Sequence, residues 1–257
     1  MARNKIGVLV LVKNEELNID ACLESCSFAD EIVVVDSYST DKTVAIAKTH
    51  TENIFQKEFV NFLDQRLFGI KKISSEWLLM IDADERVSDA LKKELVAFAS
   101  QDEYSAMEIP RRNYLLGGWV KFSGWYPDYQ TRFIKKNTIT NEQKIVHEKF
   151  DSSGNKKRIL ESSAACIYHN TCDSVFEYIN KINKYTALEA EYFLDKNEFK
   201  ITRWAIFTRS MGMFTQTLFH HKGIKDGMRG FVVAGFNFIY SFLMMIKVWE
   251  LKNKKKF

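Results

Sequence analysis

Residues 77–86 read Trp77-Leu78-Leu79-Met80-Ile81-Asp82-Ala83-Asp84-Glu85-Arg86. The apolar run from Trp77 to Ile81 has the composition of a strand buried on both faces. Three carboxylates, Asp82, Asp84 and Glu85, follow within four positions. Like charges so close repel one another, so the stretch needs a cationic partner. Two carboxylates two residues apart at a strand end can face one hard divalent cation. Mg²⁺ or Mn²⁺ prefers oxygen ligands and keeps room for water and substrate phosphates. The competing reading is that Asp-Ala-Asp-Glu simply caps the helix expected from Ser88 to Phe98.

Working outward, the first hundred residues alternate between strand and helix. Residues 5–12 (KIGVLVLV) and 31–36 (EIVVVD) are β-branched runs suited to buried strands, and 53–56 is a weaker one. Asn14-Glu15-Glu16 is read as the start of a helix, with acids at its positive end. Further helices are expected over 43–48 and 61–73. Strands and helices in short alternation predict an α/β fold with a mostly parallel sheet flanked by helices. In such a sheet ligands bind beyond the carboxyl ends of the strands. Lys13-Asn14-Glu15, Asp36 and Asp82-Ala83-Asp84 then belong to one edge.

Several ligand classes fail there. The first turn reads VKNEEL, which lacks the Gly-x-Gly-x-x-Gly of a dinucleotide site, and a phosphate-binding Walker loop is absent. A phosphoacceptor receiver domain would be about half this length and gives no reason for the Asp-x-Asp spacing. Cys22 and Cys26 share a helix face, but without a second Cys or His pair at zinc spacing they read as small core residues.

The strand-KNEE, VVVDSYSTD, Gln65-Arg66 and WLLMIDADE segments, in this order and spacing over roughly residues 5–150, resemble family 2 glycosyltransferases of the GT-A fold. The resemblance implies that a nucleotide-sugar lies against Lys13, Asn14, Glu15 and Asp36, with Gln65 and Arg66 also on the donor. It implies that Asp84 is the main ligand of a diphosphate-bound metal and that Asp82 faces the ribose or the metal. Two departures are Tyr38, where many relatives have glycine, and Leu67, where asparagine usually follows Gln-Arg. Pro110–Tyr114, the segment 124–130 (GWYPDYQ) and Val146-His147-Glu148 look like the branch that contains lipopolysaccharide-core glucosyltransferases. That branch implies transfer of a β-linked sugar, often glucose, from a UDP-sugar to the inner core.

Family 2 enzymes invert the anomeric centre, so the acceptor hydroxyl must give its proton to a carboxylate within hydrogen-bond reach. Glu148 is the preferred base and Asp128, in an aromatic turn, the second. Arg132 is read either as a diphosphate contact or as a strand salt bridge. His169 is read either as a late metal ligand or as a histidine satisfied by hydrogen bonds.

The net charge of +4 is uneven. From residue 201 onward ten Lys or Arg face two acids, which is +8, so residues 1–200 carry −4. A basic tail with long apolar runs suits an anionic membrane surface better than nucleic acid. Residues 203–221 read as an amphipathic interfacial helix, with Trp204, Phe207, Met211, Phe214 and Leu218 on one side and Arg203, Ser210 and Thr217 on the other. Residues 231–249 are long enough to span a bilayer. Asn237, Lys247 and basic flanks at both ends favour a monotopic anchor or an oligomer interface instead.

The chain begins MARNKIGVLV, running straight into a strand without the pattern of a secretory leader. The expectation is therefore a catalytic domain over 1–200 and a membrane-association or oligomerisation region over 201–257. The protein would sit on the cytoplasmic face of the inner membrane. Its partners would be a nucleotide-sugar and a lipid-linked saccharide, with homo-oligomers through the C-terminal helices and no nucleic acid. Alternatives keep the fold but take a polyprenyl-linked glycan, a capsule precursor or a peptide as acceptor, or make the chain a non-catalytic sensor or scaffold.

Overall fold

A computed structural model describes residues 4–101, 103–142, 149–161, 163–196 and 201–254. Its elements are β1 Ile6–Val12, α1 Ile19–Ser25, β2 Glu31–Asp36, α2 Thr43–Ala47, β3 Ile54–Gln56, α3 Phe62–Lys72, β4 Trp77–Asp82, β5 Glu85–Val87 and α4 Asp89–Phe98. There follow β6 Ala106–Leu115, β7 Gly118–Trp119, β8 Asp128–Lys135, β9 Ile139–Glu142, β10 Lys149–Ser152, β11 Lys156–Arg158 and β12 Ile167–Cys172. Three helices close the chain: α5 Val175–Lys196, α6 Arg203–Thr215 and α7 Met228–Lys254.

The large sheet runs β3-β2-β1-β4-β8-β6-β12-β5. Its first four strands are parallel, as the strand–helix alternation requires, and β8 turns the order antiparallel against both β4 and β6. Alternation along the strands sorts the core into two layers. Val8, Val10, Trp77, Leu79 and Ile81 face α1 and α4, where Trp77 stacks on Phe133 at 4.9 Å and meets Phe98 edge-on at 5.4 Å. Leu9, Val33, Val35, Leu78 and Met80 face α3. Gly69 lets α3 sit this close: a Cβ there would lie 2.3 Å from Leu9 Cδ1.

The start of α1 differs from expectation. Asn14 has φ +56°, the left-handed region, so the helix does not begin at Asn14-Glu15-Glu16 but at Ile19. The backbone amides freed by that turn reach across to another loop: Asn14 N–H donates to Ser39 Oγ (2.9 Å) and Glu15 N–H to Thr43 Oγ1 (2.7 Å). Helix α4 does begin where expected, but its cap is Ser88, whose Oγ accepts the Leu91 N–H at 3.2 Å. The acids of Asp-Ala-Asp-Glu are not its cap.

The chain separates into two compact units, residues 1–112 with 128–169 and residues 113–127 with 170–257. The expected boundary after residue 200 does not coincide with this division, because α5 belongs to the second unit. There α7 packs against both α5 and α6. Leu115, Val120, Ile182, Val233 and Phe236 form that unit's main apolar cluster, so its core draws on chain from both sides of residue 200.

Candidate active site

The parallel register brings three segments to one edge. Val12 pairs with Asp36, and Leu11 with Asp82, so β1, β2 and β4 end side by side with their polar extensions adjacent. Asp36 is fully buried; both its oxygens accept the Ser39 N–H, at 3.0 and 3.2 Å, and Oδ2 accepts from Gln56 Nε2. Lys13 Nζ donates to Ser37 O at 2.6 Å, and Asn14 Oδ1 accepts the Thr40 N–H at 2.8 Å. Glu15 Oε2 accepts from Asn18 Nδ2 at 2.9 Å. Lys13, Asn14, Glu15 and Asp36 therefore form one clasp between the loops after β1 and β2. Tyr38, at φ +58° and half exposed, stands on this clasp.

The loop after β4 resolves its own repulsion. Asp82 Oδ1 meets Arg66 at 3.0 Å and Oδ2 meets Arg132 at 2.8 Å. Glu85 is wholly buried; Oε2 accepts the Asp82 N–H at 3.0 Å, and Oε1 accepts from Arg111 at 2.9 Å and from Arg132 at 3.4 Å. Arg111 also grips Asp128 through Nε and Nη2, both at 2.8 Å, while Gln130 donates to the other Asp128 oxygen. Arg86 turns back to hold the carbonyls of Ala83, Glu85 and Asn18. Three carboxylates, Asp82, Glu85 and Asp128, are thus matched by three guanidiniums, Arg66, Arg111 and Arg132.

Burial alone would push the Asp82 carboxyl up, but the Arg132 and Arg66 charges outweigh it and hold the group far below the usual carboxylate range. Arg132 is raised in turn: its desolvation is overcome by Asp82 and Glu85. Both remain ionised across the physiological range.

Asp84 stands apart from this network. Its Oδ2 lies 3.4 Å from His169 Nε2, brought there because His169 pairs with Glu85 across β12 and β5. Two ligands at right angles on an ion with bonds of about 2.1 Å would be about 3 Å apart. The Asp84–His169 spacing fits a shared divalent cation. Asp82 offers a metal less, since both its oxygens engage arginines. Among the described residues no group of three or more His, Cys, Asp or Glu converges as a complete protein shell. A cation held here would take its other ligands from water and substrate, as Mg²⁺ usually does.

The remaining expected residues are placed as follows. Gln65 is buried on α3 and donates to the carbonyls of Lys57 and Glu58 at 3.1 and 2.9 Å. Arg132 makes the strand salt bridge of its two readings. His147 and Glu148 lie outside the described residues. Sequence reasoning gives Arg111 no role in the site and Glu85 only that of supporting the loop after β4, where it accepts the Asp82 N–H. Arg111 sits directly opposite Asp128 across β6 and β8, a cross-strand charge pair visible only once that antiparallel pairing is known.

The Glycosyl transferase family 2 profile matches residues 7–162. LpsC of Rhizobium meliloti, a lipopolysaccharide core biosynthesis glycosyltransferase, is 28% identical over 253 residues, covering 95% of this chain and 92% of the relative. An uncharacterised glycosyltransferase of Rickettsia typhi is 28% identical over 98% of this chain and 89% of its own length. Among solved structures, TarS of S. aureus in complex with UDP aligns over 97% of this chain and 92% of that chain, at 15% identity and a TM-score of 0.49.

Proposed function

Because the chain belongs to glycosyl transferase family 2, we propose that it is an inverting, metal-dependent hexosyltransferase. It moves glucose from UDP-glucose to a membrane-linked glycan, the lipopolysaccharide inner core, at the cytoplasmic face of the inner membrane. The observation that carries this reading is the charge pattern after β4: every acid there except Asp84 engages an arginine, and Asp84 faces a histidine. The name of the LpsC relative supports the acceptor class.

In this reading the clasp of Lys13, Asn14, Glu15 and Asp36 receives the nucleoside. Asp82, fixed by two guanidiniums, presents an ionised carboxylate toward the ribose, with Gln65 and Arg66 behind it. Asp84 and His169 would hold the divalent cation, which when bound neutralises charge on the departing diphosphate. Arg132 reaches the reaction only through Asp82 and Glu85, as a positioning residue. The acceptor hydroxyl attacks opposite the leaving group and gives its proton to a carboxylate, Glu148 in the preferred assignment. Asp128, the second candidate, would have to loosen its hold on Arg111 before accepting a proton.

The test is UDP release from a panel of UDP-sugars with Mg²⁺ or Mn²⁺, repeated with EDTA. Turnover of UDP-glucose that stops with EDTA supports the reading. No donor binding or turnover at any metal concentration overturns it.

A further inference from the structure

The second unit contains a helix pair that is apolar on its outer face as well as in its core. Besides apolar residues such as Ile206, which packs against Met244, Met245 and Val248, α6 and the π-helical turn that follows it turn two polar side chains inward: Ser210 is fully buried and Thr217 is 2% exposed. Thr217 Oγ1 accepts from Asn237 Nδ2 of α7 at 2.9 Å. Ser241 is buried too, and Lys247 donates to Asn183 Oδ1 and Thr186 Oγ1 of α5, at 2.7 and 2.9 Å. Each polar side chain that interrupts the apolar run of α7 is thus satisfied by, or buried against, protein.

The outward side carries large apolar residues too. Trp204 is 74% exposed, Phe207 50% and Met211 37% along α6; Phe231 is 55% and Phe242 40% exposed along α7. Phe231, Phe238 and Phe242 follow at spacings of seven and four, one face of a helix. Phe238 stacks on Phe242, and Phe214 meets Phe231 at 5.8 Å, so the outward rows of the two helices adjoin. Only 39% of the most apolar window of α7 is buried. In water so much apolar surface left exposed on one face is costly. Against lipid that face is stable, since its apolar side chains meet acyl chains.

The edge of this surface is basic. Arg203 begins α6, and exposed Lys222 and Lys225 follow its end. Of the two acids beyond residue 200, Asp226 is turned inward: its carboxylate accepts the N–H groups of Lys121 and Phe122 and the Ser123 hydroxyl. Basic residues at the helix ends with aromatics between them suit an anionic bilayer surface.

We propose that the outer face of α6 and α7, centred on Trp204, Phe207, Met211, Phe231, Phe238 and Phe242, inserts into the interface of an anionic lipid bilayer, with α7 lying in the membrane plane rather than crossing it. This deepens the membrane-linked acceptor reading and rests on it for its purpose, but it is measured without sugar transfer.

The experiment floats the full chain with vesicles of phosphatidylcholine and phosphatidylglycerol at three to one, and with phosphatidylcholine alone. The protein should float with the anionic vesicles and lose binding in high salt. Trp204→Asp with Phe207→Asp, at exposed positions, should leave the thermal unfolding unchanged and weaken partitioning at least about tenfold. Phe238→Trp should be quenched by bromines near the lipid headgroups more than by bromines near the bilayer centre. Absence of flotation, flotation of the double variant like wild type, or quenching of Trp at 238 chiefly from the bilayer centre overturns the proposal. A dimer in solution that the double variant dissociates also overturns it, assigning the face to a second copy. Transfer of sugar to a soluble acceptor is assayed in parallel, so loss of the catalytic reading and loss of the membrane face are told apart.

Discussion

Arg132 Nη2 lies 2.8 Å from Asp82 Oδ2, and the same nitrogen is 3.4 Å from Glu85 Oε1. One guanidinium therefore holds together the first and the last of the three acids at the end of β4. Removing it leaves Glu85, which is fully buried, with a weakened counter-charge. Losing one partner of a buried pair costs roughly 3–5 kcal/mol, and the third of Asp82 that reaches solvent puts Arg132→Ala at about 2–3 kcal/mol. Urea unfolding monitored by circular dichroism checks this. A midpoint indistinguishable from wild type would mean that the network adds nothing to stability.

The same pair gives a pH dependence with a definite sign. The native carboxyl of Asp82 is depressed, because Arg132 and Arg66 outweigh the upward push of burial. A depressed carboxylate contributes stability in full above its unfolded value of about 3.9, and loses it as pH falls from there through the lower native value. The melting temperature of the wild type should fall below about pH 4. Asp82→Asn should be less stable at neutral pH and show a flatter acid limb. Equal slopes for the two proteins between pH 3 and 5 would locate the acid sensitivity elsewhere.

Much of this was readable from the letters. The β1, β2 and β4 runs and the edge they share follow from strand-length apolar segments that run into charged and polar residues, because a strand buried on both faces shows as a continuous run. What failed to show was long-range pairing. That Arg111 faces Asp128, and that His169 comes to Asp84, depends on antiparallel partners up to 85 residues away along the chain. The helix start at Asn14 was misplaced because a left-handed residue there serves the loop after β2 rather than a helix. In α6 the exposed side of Trp204, Phe207 and Met211 was legible, but Leu218, expected with them, is buried, and Arg203, expected with Ser210 and Thr217, is exposed. Which face meets protein depends on α7.

Asp84 and His169 should behave as a pair. Asp84→Asn removes the anionic ligand, so UDP-glucose turnover should fall at least about 100-fold and donor binding should lose its dependence on Mn²⁺. His169→Ala should weaken Mn²⁺ binding in the presence of UDP by a smaller factor. Calorimetric titration of Mn²⁺ into the UDP-bound protein measures both. Asp82→Asn, by contrast, should keep a metal-dependent signal, because the arginines and not a metal hold that carboxylate.

The base separates donor binding from turnover. A carboxylate that only takes the acceptor's proton has little to do with the bound UDP-sugar, so Glu148→Gln should leave donor affinity near wild type while kcat falls by about 10²–10⁴. Asp128→Asn tests the alternative and carries a structural signature besides. Arg111 would keep Glu85 but lose the Asp128 carboxylate it now grips at 2.8 Å, so some loss of melting temperature should accompany any loss of rate. If Glu148→Gln transfers sugar normally and Asp128→Asn does not, the proton goes to Asp128.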